Sequence, residues 1–327
     1  AGAAARTDVR TPHAVRPPMK KTAAACPVCA SVKVAHKYHI ERHNFSVHAC
    51  ADCGSEFQYP LPKNADAFYD EGYYTGSANF SYQDERKAER YHNYVHFARL
   101  KTIRKFRRVS PSLPPPRAGR SGGRSLRVPK AEGEKLLDVG CAFGAFARAA
   151  AHFGEAYGLD VSKFAVAEGN KISQQANSSA ILLHGDLTHL PKSPPAKQIF
   201  TPGTFSAITL IEVAEHLAEP RPAMAAAYNL LAPGGVLVVQ TANFEGWQAL
   251  DAGSGYHYYL PGHLTYFTAT GLKRMLGEIG FREFKEFFPT DFPLWAKWRK
   301  AWGVKQPGDL LRFWRMSIYH VKSKLKR

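Results

Sequence analysis

The chain has 327 residues, 45% of them hydrophobic and 12% aromatic, with a formal net charge of +17. That is enough apolar material to bury a sizeable core in one large domain or two modest ones. No apolar run approaches the roughly 20 residues of a membrane-spanning helix, and the first residues lack the apolar segment of a secretory signal. The charge is unevenly placed: +13 over residues 1–130, −3 over 131–285 and +7 over 286–327. A slightly acidic centre with basic flanks suits RNA, an anionic membrane or a phosphorylated substrate, or simply keeps the chain soluble.

Residues 1–21 read as a disordered extension. Met19, just before the first segment that looks ordered, is a natural start, and an acid-poor transit peptide is the alternative reading. The first ordered segment, 22–62, holds four of the five cysteines. Cys26-Pro27-Val28-Cys29 and Cys50-Ala51-Asp52-Cys53 are separated by 20 residues. Two such knuckles point four thiolates at one tetrahedral ion, and a soft four-sulfur site favours zinc. A pair of disulfides is the alternative, with no sign of secretion to support it. A closed four-cysteine shell leaves no open position, so Cys26, Cys29, Cys50 and Cys53 are expected to hold a structural zinc in a zinc ribbon. The intervening His36, His39, His43 and His48 are then surface or packing residues.

Residues 63–109 carry a tyrosine-rich segment, Tyr69 to Tyr82, followed by a helix over 84–108 with an apolar stripe and a cationic end. Tyr73 and Tyr74 either lie over a substrate mouth or pack between ribbon and main domain. Residues 110–131 are rich in Pro, Gly, Ser and Arg and read as a flexible linker.

The main domain, 132–290, is organised around Lys135 to Ala151. Leu136, Leu137 and Val139 form a short apolar run that stops at a glycine-bearing turn; Phe143, Phe146, Ala147 and Ala150 then recur at helical spacing. Strand, tight loop and helix follow. Such a corner presents free backbone N–H groups to a ligand. A dinucleotide fingerprint needs glycines where Ala142 and Ala145 stand, so a pyrophosphate loop is disfavoured. A second strand ends at Asp160, 22 residues after Asp138, where a carboxylate suits a ribose diol. A third apolar run, Ile181 to Leu183, leads to Asp186; a fourth, Phe205 to Ile211, leads to Glu212, Glu215 and His216. Leu230 to Gly235 forms a Pro-Gly-Gly turn before a fifth strand, Val236 to Gln240, and Pro191 to Gly203 reads as an insertion. Cys141, in the loop, reads as a small packing residue. In the tail, 291–327, Trp295, Trp298, Trp302 and a second stripe from Leu310 to Leu325 sit among lysines and arginines. These are basic amphipathic helices, serving as a cover on the domain or as a membrane-surface anchor.

The ordered set from Asp138 to Phe281 resembles the class I S-adenosylmethionine (SAM) methyltransferases. Asp138-Val139-Gly140-Cys141-Ala142-Phe143-Gly144 matches their first motif, with Ala142 departing from the middle glycine. The pattern Glu212, Glu215, His216 is similar to that of ubiquinone-pathway O-methyltransferases, and the ribbon with its paired tyrosines is similar to bacterial zinc-ribbon methyltransferases. The resemblance implies a doubly wound, Rossmann-like α/β sheet. It implies SAM on Asp138, Gly140, Ala142, Gly144, Asp160, Asp186 and Glu212. It also implies a divalent cation associated with the Glu212–Glu215–His216 cluster, for which helix capping and packing are the alternative. His263, after the fifth strand, is the first choice of general base, with His216 and Glu215 beside it. The expected activity is O-methylation of a small molecule or a lipid- or nucleotide-linked glycan, in the cytoplasm or at a membrane surface. RNA as substrate and a non-catalytic binding protein are the two alternatives.

Overall fold

A computed structural model of the chain describes residues 2–7 as backbone, together with 25–62, 68–77, 84–87, 89–107, 134–287, 314, 317 and 318. The expected linker at 110–131 lies outside these residues. So does the expected tail, except Trp314, Ser317 and Ile318, of which Trp314 and Ile318 are exposed.

In chain order the strands and helices are β1 (Gly2–Thr7), β2 (Val34–Ile40), β3 (Phe45–Cys50), β4 (Glu56–Gln58), α1 (Glu71–Thr75), α2 (Glu89–Phe106), β5 (Lys135–Val139), α3 (Ala145–Ala150), β6 (Glu155–Asp160), α4 (Lys163–Gln175), β7 (Ile181–His184), α5 (Pro194–Ile199), β8 (Phe205–Ile211), α6 (Pro220–Leu230), β9 (Leu231–Gln240), α7 (Trp247–Ala252), β10 (Thr265–Tyr266), α8 (Ala269–Ile279) and β11 (Phe281–Phe287). Strands β7, β6, β5, β8 and β9 lie side by side and parallel, extended by β1 and β11. This is the doubly wound Rossmann-like sheet that the alternation of apolar runs and helical stripes predicts. The central strands are covered on both faces, so they read as continuous apolar runs. Leu137, Leu159, Ile208, Leu210, Leu237 and Val239 are each 0% exposed. Burying one such side chain is worth about 1.5–3 kcal/mol.

Three expectations need correction. Gly2–Thr7 is a strand, not part of a disordered extension. It runs antiparallel between β9 and β11, Ala4 pairing with Val238 on one side and Lys285 on the other. Tertiary pairing supplies a structure that local propensity does not. The insertion at 191–203 contains α5, and its Ala196 and Phe200 are buried in the core. The Pro233-Gly234-Gly235 turn is absorbed into β9 as an irregularity: Phe205 pairs with Leu231, and Ala207 with Val236.

The ribbon is built as expected from two knuckles and a hairpin, but it is not a separate module. Its strands β2, β3 and β4 form a second sheet whose fourth strand is β10, from the main domain. Phe57 pairs with Thr265, and Glu56 with Tyr266. Arg221 on α6 donates to the Val28 carbonyl (2.9 Å), and the Thr268 hydroxyl, which caps α8, donates to the Cys53 carbonyl (2.8 Å).

Candidate active site

The loop after β5 is a chain of left-handed residues: Gly140 at φ +67°, Ala142 at +47° and Gly144 at +79°. A side chain at Gly140 would collide with Val213, so the loop lies against the segment that follows β8. Ala142 is not the mild departure from glycine that its size suggests, because an L-residue in this region costs about 1–2 kcal/mol. Its N–H donates to Asp160 Oδ2 at 2.8 Å, which helps to hold the conformation.

Asp160, at the tip of β6, is 4% exposed. Its Oδ1 also accepts from the Ser162 N–H (2.9 Å) and the Tyr74 hydroxyl (3.0 Å). Burial pushes its pKa up, against these three donors. Asp138, one strand over, takes the Thr209 hydroxyl at 2.7 Å and is pushed up to about 7, mainly by burial. Asp186 is held differently. Its Oδ1 accepts the N–H groups of Thr188 and His189, closing a turn at the end of β7, and its pKa is drawn down. Cys141 is buried with its thiol pushed up, as suits a packing residue.

Tyr74 comes from α1, which starts where Asp70 accepts the Tyr73 N–H and stops at left-handed Gly76. Three tyrosines of this segment, Tyr69, Tyr73 and Tyr74, line the site. Tyr74 packs against Phe143 and reaches Asp160. The Tyr69 ring stands edge-on to His216 at 5.7 Å. Tyr73 is pushed up to about 12 by burial, with the charges of Glu215 and Asp160 adding to it.

The second half of the site follows β8. Glu212 sits at φ +56°, and its carboxylate accepts from Gln240, whose own carbonyl is held by Arg99. A single 3₁₀ turn, Ala214–His216, then carries Glu215 and His216. Glu215 is 1% exposed and neither carboxylate oxygen has a hydrogen-bond partner among the described residues. Burial, then the neighbouring Glu212, pushes it up to about 8; the Thr241 side chain draws the other way without closing a hydrogen bond. His216 Nδ1 meets the Gly262 carbonyl at 2.8 Å, and His263 Nδ1 meets the Tyr258 carbonyl at 2.9 Å. A carbonyl only accepts, so each Nδ1 carries the proton and each Nε2 keeps its lone pair. The two rings are 4.7 Å apart. Burial lowers both; His263 falls to about 3, with His216 adding to the effect.

One ligand atom each from Glu215, His216 and His263 lies within 4.8 Å of the others. Two imidazole lone pairs thus converge with a buried carboxyl that keeps its proton up to about pH 8 unless a cation displaces it. The orphaned carboxylate and the two backbone-oriented imidazoles fit a divalent cation. The set differs from the one implied by resemblance, with His263 completing it and Glu212 turned to Gln240. The ribbon cysteines are also suitably disposed. Cys26 and Cys53 sulfurs are 3.6 Å apart and those of Cys29 and Cys50 are 3.5 Å apart, with all four thiols free. A tetrahedral zinc with bonds of about 2.3 Å needs edges of roughly 3.8 Å, whereas a disulfide needs about 2.05 Å.

Sequence reasoning missed the partners: Tyr74 on Asp160, Thr209 on Asp138, Gln240 on Glu212. A hydroxyl or carboxamide inside an apolar run, as at Thr209 and Gln240, is the available signal.

Residues 94–284, more than half of the chain, match the family described as a methyltransferase domain. A ubiquinone biosynthesis O-methyltransferase of Psychrobacter arcticus is 33% identical over 129 residues, covering 39% of this chain and 48% of that protein. One from Pseudomonas aeruginosa is 26% identical over 167 residues, covering 50% and 63%. The chain thus spans about half the length of the first of these relatives. Among solved structures, the phosphoethanolamine N-methyltransferase 2 of Haemonchus contortus in complex with SAM is similar at 16% identity and a TM-score of 0.43, over 69% of this chain and 46% of that one.

Proposed function

The chain belongs to the methyltransferase-domain family and carries a class I SAM-dependent methyltransferase domain, and we propose that the whole protein transfers the methyl group of SAM to a hydroxyl oxygen of a small molecule or a lipid- or nucleotide-linked glycan. The observation that carries this reading is the convergence of Glu215, His216 and His263 within 4.8 Å, on the segment that follows Val213, against which the loop after β5 packs. The ubiquinone biosynthesis enzymes it resembles are named as O-methyltransferases, which agrees with an oxygen acceptor.

SAM brings an electrophilic methyl carbon, so the protein's task is to hold an acceptor in line with the S–CH₃ bond and take up its proton. The ribose diol belongs on Asp160, and the SAM tail on the loop beside Asp138. The acceptor hydroxyl belongs at the two Nε2 atoms. Of the two imidazoles, His216 is the better base. Burial lowers both and a backbone carbonyl opposes it in each, but His263 is displaced to about 3, far from neutral pH, because the charge of His216 is set against it as well. His263, first choice from the sequence, becomes the group that fixes the acceptor. As the oxygen bonds to the methyl carbon, the S–CH₃ electrons return to sulfur and the proton passes to His216 Nε2, with the Glu215 carboxyl within 4.8 Å of the ring. Where a divalent cation is bound, Glu215, His216 and His263 would hold it, and it would acidify the acceptor hydroxyl as a Lewis acid.

A four-thiolate zinc site needs reduced cysteines, which suits a reducing compartment, and the location proposed with this reading is the cytoplasm. No helix among the described residues is long and apolar enough to cross a membrane. The test is incubation with methyl-labelled SAM and fractionated cell extract. Label in a low-molecular-weight or lipid fraction as a stable methyl ether is expected; label in RNA, or in no fraction, contradicts the proposal.

A further inference from the structure

The turn Leu260–Leu264 carries His263 and splits its backbone groups between two partners. Toward the site, the Gly262 carbonyl takes the His216 Nδ1 proton, and the Leu264 N–H donates to the Glu215 carbonyl at 2.7 Å. Toward the ribbon, the carbonyls of Leu260, Pro261 and His263 all face one side-chain nitrogen, Gln58 Nε2, at 3.0, 3.1 and 2.9 Å. The Gln58 N–H also donates to the Leu264 carbonyl at 2.9 Å. Gln58 is 3% exposed, so water does not stand in for it. It sits on β4, which opens three residues after Cys53, and the knuckle is tied to that approach by the Cys50 N–H on the Ser55 carbonyl (3.0 Å).

We propose that Gln58 is a positioning residue: it fixes the turn that sets the His216 and His263 rings, so that zinc loading of the four-cysteine ribbon is read out at the acceptor centre. A carboxamide has two protons, and here three carbonyls and, at 3.4 Å, the Tyr266 hydroxyl surround them, so the Gln58 side chain and the path of the turn are set together. Without the donor, the carbonyls of Pro261 and His263 have to turn toward other partners, while that of Leu260 keeps the His263 N–H at 3.0 Å. Gly262 stands between them and cannot keep its aim at His216 while its neighbours rotate. Loosening the knuckle moves β4 and releases the same turn. This inference rests on the reading that the cluster serves the acceptor, but its test does not require an acceptor.

The experiment uses the full chain, zinc-loaded, with ¹⁵N-labelled histidine. The ring signals of His216 and His263 are assigned from His216→Gln and His263→Gln. The Nδ1–H proton of His216, held by the Gly262 carbonyl, is expected as a slowly exchanging signal. Gln58→Leu should abolish it while zinc content and SAM affinity stay unchanged, which reports that the variant is folded. Arg42→Ala removes other ribbon contacts, to the carbonyls of Gly255, Tyr256 and Tyr259, and should leave the signal in place. Zinc withdrawal from the unaltered chain should abolish it, which keeps the test open if Gln58→Leu does not fold. A His216 signal unchanged by Gln58→Leu or by zinc withdrawal overturns the proposal. Should the signal behave as expected while His216→Gln and His263→Gln still transfer methyl at the normal rate, the acceptor reading fails and the positioning stands.

Discussion

Asp138 is pushed up to about 7 from 3.8, mainly because burial removes water from its charged form. Its folded pKa lies above its unfolded one, so the stabilisation it gives is fully present below pH 3.8 and is lost as the pH rises to about 7. Between those limits the slope is about 1.4 kcal/mol per pH unit from this group alone. Denaturant titrations at intervals across that window should show stability falling with pH, and Asp138→Asn should flatten the fall. An equal slope in the variant would mean the carboxyl is already ionised. Tyr74 presents a second test at this scale. Its hydroxyl donates to Asp160 Oδ1, the oxygen proposed above to take a ribose hydroxyl. Tyr74→Phe removes the competitor and should tighten SAM by about 0.5–1.5 kcal/mol, the net worth of one hydrogen bond. Weaker binding in that variant would place Tyr74 among the cofactor's own contacts.

The loop after β5 owes its path to backbone signs more than to side chains. Gly140→Ala faces both a left-handed φ of +67° and collision with Val213, whereas Gly234→Ala faces a φ of +73° with nothing within 4 Å. The first should therefore abolish SAM binding and destabilise the fold by several kcal/mol. The second should cost about 1–2 kcal/mol and leave SAM binding intact, both read by thermal melts and titration. Similar losses at the two positions would refute the packing of loop against Val213. At this scale the sequence is readable where burial is two-sided. Leu136 to Val139, Phe205 to Ile211 and Val236 to Gln240 announce themselves because both faces of those strands are covered. The glycine corner does so because few residues tolerate its backbone. β1 is illegible: Gly2–Thr7 has no strand pattern of its own, and its ladder is supplied by β9 and β11. β10 is two residues long, too short for any period to appear. His216 and His263 can each be suspected from position, but not their pairing, which depends on a turn held from the ribbon.

Across the whole molecule, ribbon and methyltransferase domain form one packed body, joined through β4 and β10, Arg221 and Thr268. The Pro- and Ser-rich stretch at 110–131 suggests two bodies on a tether, and spacing along the chain carries no information about a strand added from 265–266. Metal binding to four thiolates is coupled to folding of their segment, so chelation should raise hydrogen exchange over residues 25–58 and also over 256–268. Protection kept in 256–268 after complete zinc removal would argue against the shared body. None of the ribbon's contacts named above reaches the loop at 138–144, and those of Gln58 run to the turn at 260–264 beside the proposed acceptor half, so SAM binding should survive. That division of the site is the account's central claim, and paired SAM titrations on two variants test it most directly. Asp160→Ala should weaken SAM by about 1.5–3 kcal/mol, the range for hydrogen bonds to a charged group, while Glu215→Gln should bind SAM as the unaltered chain does. Unchanged affinity in Asp160→Ala, or an equal loss in Glu215→Gln, would contradict it.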